Sequence, residues 1–75
     1  MDIEQRLQRL QWRYRVSLGA AVVAKAQYFS LAGDASATAS TIQRAATRWH
    51  QIEARKRAIV SRMAYVEQLA RKATV

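Results

Sequence analysis

The chain has no cysteine and no proline, and only two glycines, Gly19 and Gly33, in its 75 residues. Without cysteine, neither a disulfide nor a thiolate-held metal can staple so short a chain. Without proline, nothing forces a helix to break, and glycine punctuates the sequence at only two places. Carboxylates are scarce too: five Asp and Glu stand against thirteen Lys and Arg, for a net charge of +8. That balance raises the odds of an acidic partner, whether nucleic acid, a membrane surface or an acidic protein, and the alternative is that the arginines simply solvate exposed helix faces. There is no long hydrophobic run. The least charged stretch, Val16 to Ala32, is interrupted by Ser17, Lys25, Gln27 and Ser30. It is too short and too polar to cross a bilayer and reads as a helix buried on more than one side. The charged opening, Asp2, Glu4, Arg6 and Arg9, is unlike a signal peptide, so a cytoplasmic location is expected.

What the sequence does contain is two heptad repeats. The first runs Ile3, Leu7, Leu10, Tyr14, Ser17, Ala21, Ala24, Tyr28, Leu31. The second runs Ile42, Ala45, Trp49, Ile52, Lys56, Ile59, Met63, Val66, Ala70, Ala73. Alternating steps of four and three keep one stripe of each helix facing a partner helix. The expected fold is all-α: an antiparallel, coiled-coil-like two-helix hairpin completing a larger bundle with a partner or a second copy. One domain, 1–75, would comprise helix one over about 2–32, a turn over about 33–37 and helix two over about 38–72. Asp2 is the expected amino-terminal cap. Gly33 is the expected stop in a left-handed conformation, and Ser40 to Gln43 carries a capping-box pattern.

A short connection forces the helices antiparallel. Counting outward from the turn sets Ile42 against Tyr28, Trp49 against Ala21, Ile59 against Leu10, Met63 against Leu7 and Val66 against Ile3. Trp49 is then expected to be the most buried residue of helix two, filling the space left by Ala21, Ala24 and Ala45. Lys56 interrupts the seam and is expected to run its stem along Tyr14 with its charge in water.

The positions beside the seam divide by charge. One edge collects Arg6 and Arg13 from helix one with Arg48, Arg55 and Arg62 from helix two, a rim suited to an acidic partner or to nucleic acid. The other edge carries Glu4, Gln11, Leu18, Glu53, Val60 and Glu67. Helix one also has a second apolar strip on its back, Trp12, Val16, Ala20, Val23 and Phe29, widened by Val22. Its regular spacing marks a surface for another helix.

Catalytic and metal-ligating sets are missing. His50 is the only histidine, without Cys or carboxylates at ligand spacing, and reads as a surface residue. The Ser and Thr residues of 36–41 read as caps and turns. No enzyme, cofactor or small-molecule substrate is expected.

The chain resembles the small helical-hairpin, E-type co-chaperones of bacterial type III secretion systems. The resemblance lies in the opening Ile3-Glu4…Leu7, the turn Gly33-Asp34-Ala35, and a second helix with Trp49, Ala58-Ile59 and Tyr65-Val66. It implies a hairpin that packs with a larger helical chaperone and shields an aggregation-prone needle subunit in the cytoplasm. The residues themselves support a protein-interaction module first. A dimeric nucleic-acid-binding hairpin using the arginine rim comes second, and a membrane-surface helix last.

Overall fold

The computed structural model describes residues 2–73. It is the expected all-α hairpin: α1, Ile3–Ala32, of 30 residues, and α2, Ala39–Ala73, of 35 residues, lying antiparallel along one another. The rod measures 60 × 16 × 14 Å. It is therefore two helices wide at most, and each helix can be covered on one stripe only.

That stripe is the heptad seam. All nine seam positions of α1 are buried or half-buried, and so are those of α2 except Ala73. Ala73 is exposed, lying beyond the span of α1, which begins at Ile3. Outside the seam, exposure is the rule. The aliphatic core lies at the end away from the turn, where Leu10, Ile59 and Val66 cluster and Ile3, Leu7, Tyr14 and Met63 pack against them. Val66 has 0% of its surface exposed, and Ile59 6%.

Trp49 departs from expectation. It is half-buried, less so than Ile59 or Val66. Its indole packs on Tyr28 at 5.6 Å and Phe29 at 5.9 Å, and His50 stacks on it at 5.5 Å. Two physical effects explain the difference. Side chains on a helix lean toward its amino terminus. Trp49 therefore leans toward the turn, while Tyr28 leans away from it, and the rings meet two seam layers, one heptad, off the backbone pairing. Ala21 and Ala24 are meanwhile among the most buried residues, at 4% and 3% exposed. Small residues let two helices approach closely, so they close the space that was expected to hold the indole.

The turn also differs in detail. Asp2 caps α1 as expected, its Oδ1 accepting from the Gln5 N–H at 2.7 Å. Gly33, however, has φ −88° and ψ −2°, a right-handed conformation. The chain leaves α1 by tightening. The Gly33 N–H bonds the Phe29 carbonyl and the Asp34 N–H bonds Leu31, both at 3.1 Å. Asp34 Oδ1 then accepts from the Ser36 N–H at 2.9 Å and from its hydroxyl at 2.7 Å, an Asx turn that reverses the chain. The cap of α2 is Thr38 rather than Ser40: its Oγ1 accepts from the Thr41 N–H at 3.2 Å. The Ile42 N–H to Thr38 carbonyl bond of 3.1 Å marks the start of the helix.

Two stability outcomes follow. Ile59→Ala empties the centre of the cluster and is expected to cost about 2–5 kcal/mol, enough to abolish the urea unfolding transition of the isolated chain. Gly33→Ala goes the other way. A Cβ there would lie 3.5 Å from the Phe29 carbonyl oxygen, ordinary contact, with no positive φ to strain. It should raise the urea midpoint by an amount equivalent to about 0.4–1 kcal/mol; a marked loss would show that the turn needs a left-handed residue after all.

Candidate functional site

The arginine edge is built where the two seams flank the aliphatic core. Arg6, Arg9 and Arg13 project from α1, and Arg55 and Arg62 from α2. Arg6, Arg9, Arg13 and Arg62 line a groove with Leu10 and Val66 at its floor. Arg13, Arg55 and Arg62 line the next, over Leu10 and Ile59. A third joins Arg13 and Arg55 to Trp12 and Val16, and a fourth sets Arg9 and Arg13 beside Trp12 and Gln5. Arg13 is common to all four, so the grooves adjoin around it, three of them between the helices and one on the outer side of α1; together they are called the arginine trough. No carboxylate lines any of them.

Sequence reasoning thus identified Arg6, Arg13, Arg55 and Arg62 as neighbours and missed Arg9. Arg9 lies one position outward from the flanking row, and the trough wraps around α1 far enough to include it. Arg48, the next arginine of the row toward the turn, is exposed and stands outside these four grooves. The structure also brings the arginines and the apolar strip together at Trp12 and Val16, which the sequence treated as separate surfaces.

The opposite edge has different chemistry. Tyr14, Val60, Met63, Ala64 and Glu67 line a mostly apolar groove there. Nearer the turn, Glu53 ties α2 to itself. Its Oε2 pairs with Lys56 Nζ at 3.2 Å, and its Oε1 accepts from Trp49 Nε1 at 3.3 Å. Lys56 therefore tolerates its seam position by meeting a carboxylate one turn back, rather than only by reaching water along Tyr14. The Lys56 hydrogen bond holds the Glu53 carboxyl below its ordinary range, against the opposing pull of partial burial. The Ser36 hydroxyl and then the Ser36 N–H do the same for Asp34.

The back of α1 is bare. Trp12 is 66% exposed, and Val16, Val22, Val23 and Phe29 are each more than half exposed, with Ala20 exposed beside them. Phe29 touches Trp49 and still presents most of its ring outward. Among the described residues, no group of His, Cys, Asp and Glu is placed to hold a metal ion, and no helix is long and apolar enough to cross a membrane. No protein-family model matches the chain, and neither a curated protein nor a solved structure is found to be similar to it.

The depressed carboxyls set an acid limit. A group with a lowered folded-state pKa stabilises the fold above its unfolded value and loses that contribution as pH falls through the folded value. The melting temperature should therefore hold down to about pH 4 and fall below it. Asp34→Ala and Glu53→Gln should each lower the neutral plateau and flatten that acid limb in a thermal melt followed by circular dichroism; unchanged limbs would show that other groups govern it.

Proposed function

We propose that this chain is a small basic protein-interaction module in which α1 completes a helical bundle supplied by another protein. The observation that carries the reading is the apolar back of α1, whose residues recur at helical spacing and which α2 touches only at its margins and leaves more than half exposed. Soluble monomers seldom leave a continuous apolar strip of this kind uncovered. Gly19 supports it. A Cβ at that position would meet nothing within 4 Å, so nothing inside the hairpin calls for glycine in mid-helix, where it costs about 1 kcal/mol relative to alanine. A partner helix crossing close over Gly19 gives that cost a reason.

Within this class, the type III secretion co-chaperones that the chain resembles are the reading we put first. The hairpin would dock on a larger helical chaperone in the cytoplasm and help keep an aggregation-prone subunit from assembling early. No catalysis, cofactor or small substrate enters it. A second reading, a hairpin that binds nucleic acid through its arginines, draws on the carboxylate-free trough. Its mark would be an affinity that falls steeply with salt and fails in Arg55→Glu with Arg62→Glu.

The test is association of the intact chain. Val23→Asp and Trp12→Asp lie on exposed positions and should leave helicity and melting of the free hairpin nearly unchanged. They should abolish recovery of its partner from an extract of the source cell, whereas Gly19→Ala should raise the free chain's stability by about 1 kcal/mol and weaken that recovery. A wild-type chain that is monomeric, sharply melting and recovers the same proteins as Val23→Asp would end the proposal.

A further inference from the structure

The back of α1 changes character halfway along. Its first half presents Gln5, Gln8, Arg9, Trp12 and Arg15, all exposed. Its second half presents Val16, Gly19, Val22, Val23, Ala26 and Phe29, also exposed. Lys25 is the one charge between Val16 and Ala32. The arginine trough runs beside the first half and ends at Val16, where the apolar strip takes over. A helix laid along α1 therefore meets clustered guanidinium groups over one half of its length and, over the other, a mostly apolar surface whose nearest charges are Lys25 and Arg48.

We infer that the partner segment is a helix divided in the same way, acidic where it lies along Arg6, Arg9, Arg13, Arg55 and Arg62 and apolar where it lies along Val16 to Phe29. This rests on the reading of α1's back as a partner surface and adds the partner's chemistry. Charge complementarity carries it. A second copy of this chain is a poor occupant because it lacks the carboxylates. Of its five acidic residues, Asp2 caps α1, Asp34 holds the turn and Glu53 is paired with Lys56. Glu4 and Glu67 belong to the edge away from the arginines. Bringing two such troughs together places like charges face to face. A nucleic acid satisfies the arginines but leaves Val16, Val22, Val23 and Phe29 in water, since phosphates gain nothing from them. An amphipathic helix with one acidic half meets both requirements at once.

The inference is tested with synthetic helical peptides of about 24 residues, long enough at about 1.5 Å per residue to follow α1 from Arg6 to Phe29. All carry the same apolar heptad positions in one half. The other half carries Glu, Gln or Lys at the flanking positions, and each version is made with the charged half at either end. Fluorescein-labelled peptides are titrated with the full chain and followed by anisotropy. The Glu peptide, in at least one orientation, should bind about tenfold or more tighter than the Gln peptide, and the Lys peptide should not saturate. Arg13→Glu with Arg62→Glu should erase the difference between Glu and Gln. Val23→Asp should weaken both. Glu and Gln peptides that bind alike, each sensitive to Val23→Asp, would overturn the acidic half while leaving the partner face on α1 standing. Failure of the Glu peptide to saturate in either orientation overturns the inference. If a labelled RNA duplex then binds in a manner that depends on Arg13 and Arg62 but not on Val23, the partner-face reading falls with it.

Discussion

Two helices can offer each other only one stripe apiece, and every other property of this molecule follows from that limit. α2 fits it better: Val60 and Tyr65 are exposed, but its other outer positions include Gln43, Arg44, Gln51, Arg57 and Lys72, which water solvates. α1 fits it poorly. It has an apolar seam on one side and an apolar strip on the other, and a rod 16 × 14 Å in cross-section has nothing left to cover the second. Helices apolar on two sides are ordinarily interior helices. The hairpin therefore leaves one apolar side of α1 facing out.

The seam itself is graded along the rod. At the open end, branched and long aliphatics cluster around Val66; in the middle, Ala21 and Ala24 let the backbones close up; at the turn, Tyr28, Phe29, Trp49 and His50 stack at the edge. The arginines cluster beside the aliphatic end, and the coincidence has a structural side. Leu10, Ile59 and Val66 form the floor of the trough, so the methylene stems of Arg6, Arg13 and Arg62 border the core that the thin rod would otherwise leave open. Long cationic side chains commonly cover apolar surface in this way while their heads stay in water. Their crowding without carboxylates opposes folding at low salt and is relieved by screening or by a bound anion. The same groups thus close the core and create the unmet charge.

Much of this was legible from the heptads. The burial of Leu10, Ser17, Ala21, Ala24, Ile59 and Val66 follows from step spacing alone, because a helix facing one partner must repeat every three and a half residues. The pairing of Ile59 with Leu10 follows from a short turn. What spacing cannot supply is the direction in which a side chain leans. Trp49 was assigned its neighbours by backbone position, yet its ring reaches toward the turn and outward to the Glu53 edge. The turn escaped for a related reason. Gly33 and the capping box of Ser40 have the right composition, but Asp34 and Thr38 make the hydrogen bonds first, and local side-chain acceptors decide a turn among competing candidates. The trough was half legible. The flanking rows named four of its arginines, while Arg9 and the junction with Trp12 and Val16 depend on how far the groove wraps around α1.

Separating charge from apolar surface along the axis has a consequence that mixing them would not. Charge acts at a distance on the order of a Debye length, about 10 Å at moderate salt, and apolar contact acts only on touching. With most of the guanidinium groups of this edge toward one end, an acidic segment of the proposed kind would be drawn to that end before any contact formed, and the direction in which it lay down would be set by which of its ends is charged. The apolar half would then determine how long it stayed, because rim charges chiefly govern encounter and desolvated apolar contacts chiefly govern release. A strip with arginines interspersed among its valines would attract the same partner equally in both orientations and would burden each apolar contact with the desolvation of a cation. On the proposed reading, the division at Val16 would avoid both, which gives the two halves of α1 a reason to differ in composition.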